Sequence, residues 1–224
     1  PKNTLWQPWA EGGTSFWDTG NKGATTVGNS NSTPTTETST GSGQAASLES
    51  KYIVLKFAAG NIFTGTYMVH VDILRSHRTN GVLQFGRPFT SFPSKLRIHY
   101  KYNCVPINKS GDDDFKYLVG RPDSCQVYIA LTDWDAPLEI RTRPSERQLF
   151  DPSAPKVIAY GELTKGQGEP VSSWTQADIV LDYRYTNRTP KYIVVVASAS
   201  KYGDYFTGGE GSKLWLDECE LIYD

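Results

Sequence analysis

The stretch that decides the fold is SKYGDYFTGGEGSKLWLDECELIY, residues 200–223. It follows an apolar run over residues 192–199, and its second half, residues 213–223, is again extended in pattern. Gly208, Gly209 and Gly211 separate a group of aromatic residues from that second half. Because glycine permits positive φ angles and close backbone approach, the cluster predicts a tight surface loop between two strands.

The rest of the chain repeats this strand-and-turn pattern. Residues 95–102 give the clearest period of two, in which charged or polar side chains alternate with an apolar set. The apolar set is Leu96, Ile98, Tyr100 and Tyr102. The run over residues 192–199 is apolar on both faces, which indicates a central strand. About ten such strands, with no long amphipathic helix, predict an all-β fold of two antiparallel sheets packed as a sandwich.

Three motifs carry a resemblance to a known family. The pattern Ser-x-Tyr-Gly-Asp-x-Phe-x-Gly-Gly-x-Gly-Ser-x-Leu-x-x-Asp over residues 200–217 resembles the C-terminal signature of the putative carbohydrate metabolism domain family. A Trp-x-Thr-Gly-Asn stretch at residues 17–21 and an Arg-Pro-Phe stretch at residues 87–89 are also similar. The resemblance implies a jelly-roll (galactose-binding-like) topology, with the final strand inside a sheet or beside the first strand. It also implies an extracellular or outer-membrane-tethered protein of carbohydrate-degrading bacteria.

Composition limits the function classes. The 224 residues include 23 basic and 24 acidic side chains, a net charge of −1, which argues against a nucleic-acid binder. The sequence has no membrane-spanning run and no signal peptide. Because it begins at Pro1, we expect a processed piece of a longer chain with other domains. We interpret residues 1–224 as one β-sandwich domain, in which the Ser/Thr/Gly-rich residues 28–43 form a long, mobile surface loop.

The three cysteines leave the redox compartment open. Cys104 ends one predicted strand and Cys125 begins another, so a disulfide between them is one alternative. Cys219 lies in the last strand, where we expect a small buried hydrophobic side chain. No cysteine spacing is typical of a zinc site.

Three tryptophans near the start of the chain are the first candidates for ligand binding. Trp6, Trp9 and Trp17 lie among glycine and polar residues. A flat ring packs on the C–H face of a sugar while its polar edge stays wet, so exposed indoles there predict a sugar platform. The alternative interpretation is that the rings close the open end of the sandwich.

Two loops offer further candidates. Asp133, Trp134 and Asp135 follow a predicted strand and would combine a stacking ring with two acceptors for sugar hydroxyls. In the C-terminal loop, Tyr202, Asp204 and Tyr205 would contribute to the same or a second surface. In each loop the alternative is structural: the carboxylates cap turns and the rings pack on the sandwich.

Asp217 interrupts an otherwise apolar strand and needs a partner, because an unpaired buried charge is very costly. Similarity to jelly-roll carbohydrate-binding modules implies a structural calcium ion there, which would need six to eight oxygen ligands. The alternative is a carboxylate satisfied by backbone N–H groups or a lysine.

These features favour a carbohydrate-binding module whose partner is a polysaccharide or oligosaccharide. A glycoside hydrolase is the alternative, but no motif pairs two of the candidate carboxylates, which are Asp133, Asp135, Glu139, Glu162 and Asp204. A second alternative is an adhesion or protein-interaction module whose aromatic loops contact protein.

Overall fold

The structure is a computed structural model that describes residues 4–26, 28–53, 56–72, 78–164 and 167–224. Within these ranges the strands are β1 Trp17–Asp18, β2 Ser32–Thr35, β3 Ala45–Glu49, β4 Lys51–Ile53, β5 Lys56–Ala58, β6 Asn61–Asp72, β7 Arg78–Phe85, β8 Arg87–Pro88, β9 Lys95–Asn103, β10 Gln126–Thr132, β11 Leu138–Arg141, β12 Val157–Glu162, β13 Val171–Val180, β14 Asp182–Tyr183, β15 Tyr192–Ser198 and β16 Lys213–Ile222. One α-helix, α1 (Asn21–Ala24), and three 3-10 helices (Asp113–Leu118, Pro144–Glu146 and Gly203–Tyr205) lie in the connections.

The strands form two main antiparallel sheets. The larger sheet has the order β11-β7-β6-β15-β10-β12-β14, with β1 also paired to β6 and β8 to β15. The smaller sheet has the order β13-β9-β16-β3-β2, and β4 and β5 form a separate hairpin. The final strand β16 lies inside the smaller sheet, between β9 and β3, and the apolar strand β15 lies between β6 and β10.

Eight central strands have jelly-roll wiring. Taken in chain order as β3, β6, β9, β10, β12, β13, β15 and β16, they form the layers β3-β16-β9-β13 and β6-β15-β10-β12, with every connection except β10–β12 passing from one layer to the other. This is the pattern of two interleaved Greek keys. The predicted all-β sandwich with jelly-roll topology is confirmed.

The main core lies between the two sheets and follows the predicted period of two. In β9, Leu96, Ile98, Tyr100 and Tyr102 are all buried, while the residues between them point away from the core. The facing layer is supplied by alternate residues of β10 and β15: Val127, Ile129, Leu131, Ile193, Val195 and Ala197. Burying these side chains stabilises the fold by roughly 1.5–3 kcal/mol for each large one.

A second apolar cluster covers the outer face of the larger sheet. Its buried members are Phe63, Phe85, Tyr128, Ala130, Trp134, Ile140, Val157, Val194 and Val196. Partly buried residues from the 149–154 connection, including Leu149 and Phe150, pack over them. The larger sheet is therefore apolar on both faces, which explains why β15 shows no alternation.

The segment 28–43 differs from the predicted long loop. Residues 32–35 form β2, which pairs with β3. The Asn21 side chain donates from Nδ2 to the Ser32 carbonyl at 2.6 Å, and its Oδ1 accepts from the Asn31 and Ser32 amides at 3.1 and 3.0 Å. Because a distant amide satisfies these backbone groups, a segment without apolar side chains is held in a sheet. The mobility expected for the segment stays a prediction.

Cysteines form no disulfide in the described chain, in which Cys104, Cys125 and Cys219 are all present as thiols. Cys104 Sγ donates to the Asp123 carbonyl at 3.1 Å. Cys219 as a residue is exposed, which differs from the predicted burial, although the protein around its thiol raises the thiol pKa to about 12. The reason is a register shift between Asp217 and Glu220, which interrupts the inward and outward alternation of β16. No helix among the described residues is long and apolar enough to cross a membrane.

Candidate functional site

The three N-terminal tryptophans do not share a surface with Trp134. The Trp6 carbonyl accepts from Asn21 Nδ2 at 2.9 Å, and its side chain is 46% exposed. Trp9 is half-buried, with the Lys22 ammonium 5.8 Å from its ring centroid. Trp17 is half-buried and packs against the core between the sheets. The rings therefore surround α1 and one end of the sandwich.

Trp134 is buried, with 8% of its surface exposed. Its ring meets the Phe150 ring edge-on, with centroids 6.2 Å apart, in the second apolar cluster. The expectation of an open stacking ring at this position is wrong. The structural interpretation applies instead, because the 149–154 connection covers the outer face of the larger sheet.

Asp133 and Asp135, on either side of Trp134, are both in ion pairs. Asp133 Oδ2 accepts from Arg188 Nε at 2.8 Å and also from Arg188 Nη2. Asp135 accepts from Lys191 Nζ at 3.0 Å and from Lys156 Nζ. These lysines lower the pKa of Asp135 to about 2. A carboxyl group with so low a pKa cannot donate a proton near neutral pH.

The predicted residues of the C-terminal loop pack on one another. The Phe115 ring lies 4.2 Å from the Tyr205 centroid and 5.2 Å from that of Tyr202. The Arg147 guanidinium lies 4.6 Å from the Tyr205 ring centroid. Arg147 also forms an ion pair with Asp112 at 2.7 Å. Tyr202 and Tyr205 thus have their ring faces partly occupied by protein.

Asp204, in the same loop, has an unusual electrostatic position. Although the residue is exposed, the protein around its carboxyl group raises its pKa to about 6, and Arg147 opposes this shift. Burial keeps the pKa of the Tyr128 phenol well above the usual range, and the charges of Asp204, Tyr160 and Glu162 add to this shift. Asp204 and Glu162 therefore both lie near Tyr128.

Glu162 is held by three donors. Its Oε1 accepts from Gln126 Nε2 at 3.0 Å and from Lys201 Nζ at 3.3 Å, and its Oε2 accepts from the Tyr160 hydroxyl at 3.0 Å. Its strand position is opposite Tyr128 in the β10–β12 pairing. Glu162 and Asp204 thus both act electrostatically on the Tyr128 phenol.

Asp217 is satisfied by hydrogen-bond donors. Its Oδ2 accepts from the Ser39 backbone N–H at 2.8 Å and the Ser39 hydroxyl at 2.9 Å, and its Oδ1 accepts from the Glu218 N–H at 3.1 Å. A calcium ion requires oxygen lone pairs that are not already turned toward N–H and O–H groups. The residues around Asp217 therefore do not fit the predicted calcium ion.

Two tryptophans that were not among the candidates lie on the outer face of the smaller sheet. Trp215 alternates with the buried Leu214 and Leu216 of β16, so its ring points outward. Trp174 lies in β13 where the pairing with β9 shifts between Val171 and Thr175. Both rings are half-buried.

A lysine lies between these two rings. Lys101 Nζ is 4.8 Å from the Trp215 centroid and 5.7 Å from the Trp174 centroid. Lys213 Nζ also lies 4.8 Å from the Trp215 centroid. Glu37, in the segment before β3, forms an ion pair with Lys101. We call this set, Trp174, Trp215, Lys101, Lys213 and Glu37, the two-tryptophan face.

Unsatisfied polar atoms lie beside the two-tryptophan face. His99, directly opposite Asp217 in the β9–β16 pairing, has a buried Nδ1 with no partner. Thr38, between Glu37 and Ser39, has a buried hydroxyl with no partner. Native structures leave few such atoms unpaired, and each one needs a separate explanation.

The signal for this face was present in the sequence. Continuing the alternation of residues 213–217 places Lys213, Trp215 and Asp217 on one face and Leu214 and Leu216 on the other. The same alternation therefore predicts that Trp215 lies on the outer face of this strand. Trp174 could not be found in this way, because the irregular pairing of β13 is set by tertiary structure.

Comparisons with known proteins agree with a carbohydrate-related domain. A family model described as "putative carbohydrate metabolism domain" matches residues 2–222. None of the curated proteins matches the chain.

Two similar solved structures are described as putative glycoside hydrolases. The one from Bacteroides thetaiotaomicron is 20% identical with a TM-score of 0.69, and the match covers 93% of this chain and 63% of that one. The one from Bacteroides vulgatus is 22% identical with a TM-score of 0.68, and the match covers 96% and 89% of the two chains. A carbohydrate-binding module of the β-sandwich superfamily is 12% identical at a TM-score of 0.34. At these identities the first two likenesses show the shared fold alone.

Proposed function

This chain belongs to the putative carbohydrate metabolism domain family, and from that premise we propose that it binds a polysaccharide or oligosaccharide on the two-tryptophan face. The observation that carries the proposal is the pair of outward indoles, Trp174 and Trp215, on either side of Lys101. We include in the proposal a secreted or surface-tethered bacterial location, where such glycans are met.

The chemistry of the face suits a sugar chain. An indole presents a flat apolar surface to the C–H groups of a pyranose ring, and the indole N–H remains free to donate. Lys101 and Lys213 lie next to the rings as donors for hydroxyl or carboxylate oxygens. Glu37 offers an acceptor at the same place.

The position of the face also suits a polymer. It lies on a sheet surface, so a long chain can cross it without needing a deep pocket. Neighbouring rows supply Asn103 and Lys213 on one side of Trp215, and His99 and Asp217 on the other. Each row adds polar groups that could pair with successive sugar residues.

A glycan array followed by calorimetry tests the proposal. We expect Trp215→Ala and Trp174→Ala each to weaken binding of an array-positive polysaccharide by roughly thirtyfold, since a central tryptophan in an interface often contributes about 2 kcal/mol. Trp6→Ala is the matched control, because its indole is exposed but lies elsewhere. Unchanged affinity in both Trp215→Ala and Trp174→Ala, or no binding to any glycan on the array, would overturn the proposal.

A second candidate function, glycoside hydrolysis, is favoured by the two carboxylates near Tyr128. Hydrolysis needs one carboxyl group that can donate a proton and a second that is ionised, about 5 to 9.5 Å apart. Asp204, with a pKa of about 6, suits the proton donor, and Glu162 would be the base or nucleophile. Asp133 and Asp135 are less suitable as the proton donor because basic side chains pair with both.

Release of reducing sugar from the array-positive polysaccharide tests this second candidate. Asp204→Asn and Glu162→Gln should each abolish release while leaving the affinity measured by calorimetry unchanged. Asp135→Asn is the matched control and should retain full release. Release that persists in both carboxylate variants, or none from the wild-type protein, would exclude hydrolysis at this position.

A further inference from the structure

A cavity lies between the sheets at the end of the sandwich near the β16 irregularity. Its volume is about 170 Å³. Apolar side chains form part of the wall: Trp17, Ala46, Ile62 and Leu216. Polar and reactive side chains form the rest: Gln44, Asp217, Glu218 and Cys219. We call this cavity the Trp17 pocket.

The backbone of β16 creates this opening. Its pairing with β3 ends at Leu216 and Ala46, and its pairing with β9 shifts between Asp217 and Glu220. Glu218 takes a left-handed conformation with φ of 47°, which is unfavourable for a residue with a side chain. Such strain persists only where the surrounding structure holds it, and it is concentrated at ligand sites.

The opposite wall comes from the other sheet. Trp17 belongs to β1, which pairs with β6 of the larger sheet, and Ile62 lies in β6 itself. The pocket therefore combines an indole from one sheet with an aspartate from the other. Trp17 was predicted from the sequence as a sugar-stacking residue and Asp217 as a metal ligand, and the fold brings both to one cavity.

We propose that the Trp17 pocket binds a single sugar residue at the end of the glycan whose chain lies on the two-tryptophan face. This inference depends on the proposed binding function and extends it to a chain-end specificity. Asp217 connects the two places, because it follows Trp215 by two positions in β16, about 7 Å at the rise of a strand. Because the pairing of β16 with β3 ends at Leu216 and Ala46, the end of a glycan that crosses Trp215 on the outer face would enter the pocket past that point.

The volume and the lining residues of the pocket fit one pyranose ring. Its volume is below the roughly 300–1,000 Å³ of pockets for drug-sized ligands, so only a small ring can enter. The Trp17 indole would lie against the C–H face of the ring. The Gln44 amide and the Glu218 carboxylate would pair with hydroxyl groups, as in other apolar pockets with a few placed polar groups.

Filling the pocket tests the inference without removing core atoms. Ala46→Leu adds side-chain volume where Ala46 lines the cavity, and Trp215→Ala is the matched variant on the two-tryptophan face. The probes are D-glucose, D-galactose, D-mannose, D-xylose and D-glucuronate, each titrated while the indole N–H resonance of Trp17 is followed by NMR. We expect at least one of these monosaccharides to shift the Trp17 resonance in the wild type and in Trp215→Ala, and none to do so in Ala46→Leu.

Cys219, which lines the pocket, gives a second measurement on the wild-type chain. A monosaccharide in the pocket should slow alkylation of Cys219 several-fold, and Ala46→Leu should abolish this protection. If no monosaccharide shifts Trp17 or protects Cys219, the chain-end inference is overturned. The loss of polysaccharide binding in Trp215→Ala is measured separately, so the proposed function can stand when the inference fails.

Discussion

Asp217 and Ser39 are 178 positions apart, yet the Asp217 carboxylate accepts both the backbone N–H and the hydroxyl of Ser39, at 2.8 and 2.9 Å. The contact ties the segment before β3 to the closing strand of the smaller sheet. The Glu37–Lys101 ion pair adds a second tie from the same segment. This polar segment is therefore positioned at the margin of the two-tryptophan face.

The first prediction concerns the stability that this contact provides. Asp217→Ala should lower the free energy of unfolding by about 2 kcal/mol, because hydrogen bonds to a charged group contribute roughly 1.5–3 kcal/mol. Urea denaturation measures the change. Asp178→Ala is the control on the same sheet, since a solvent-screened pair such as Asp178–Arg97 contributes little to stability. Equal losses in the two variants would contradict the structural role of Asp217.

The second prediction concerns metal. Because the described oxygens of Asp217 face N–H and O–H donors, millimolar calcium should leave the thermal midpoint of the wild type unchanged, and EDTA should not lower it. Differential scanning calorimetry provides the measurement, with Asp217→Ala as the reference. A calcium-dependent rise in the wild type that is absent from Asp217→Ala would restore the calcium interpretation.

The sequence predicted the architecture because strand alternation is a local property. Leu96, Ile98 and Tyr100 face the core as their spacing requires. The environment of Trp134 was not predictable, because its burial depends on a cover from Phe150 and the 149–154 connection. Periodicity reports which face a side chain lies on, but it does not report whether a second layer covers that face.

The candidate site likewise combines residues that the sequence predicts with contacts that depend on tertiary structure. Trp17 and Asp217 were identified as separate features, and the pocket that joins them arises from a register shift that no local pattern encodes. The order in segment 32–35 likewise depends on hydrogen bonds from Asn21, more than ten positions earlier. Sequence reasoning thus identified several relevant residues and missed the contacts that assemble them.

The third prediction separates buried from outward tryptophans. Trp134→Ala should lower the free energy of unfolding by about 3–5 kcal/mol, the usual loss for a large buried ring. Trp215→Ala should cost clearly less, because the half-buried indole lies on the outer face of the sheet. Guanidinium denaturation of both variants provides the comparison. A larger loss in Trp215→Ala than in Trp134→Ala would mean that the two-tryptophan face is mainly structural.

The fourth prediction uses the three thiols. Cys219 is exposed, Cys104 is partly buried and Cys125 is buried, so iodoacetamide should modify Cys219 first and Cys125 last. Burial raises the pKa of both the Cys125 and the Cys219 thiols to about 12, so the order of these two reports steric access. Mass spectrometry of timed samples gives the order. Modification of Cys125 before Cys219 in the folded protein would contradict this arrangement.

The last prediction concerns pH. The pKa of Asp204 is raised to about 6 in the folded protein, so the folded state holds a proton that the unfolded state releases near pH 4. Between these values the folded state binds more protons, and stability must therefore fall as pH rises from about 4 to 6. Asp204→Asn removes the titrating group, so the variant should gain stability relative to the wild type across that window and show a constant difference above it.

Asp178→Asn provides a contrast of opposite sign, because Arg97 lowers the pKa of Asp178, and the stability it contributes is lost only as pH falls below about 4. Urea denaturation at half-unit steps from pH 3.5 to 7 measures both differences, and a pH-independent difference between the wild type and Asp204→Asn would mean that this carboxyl group ionises as freely in the folded chain as in the unfolded one.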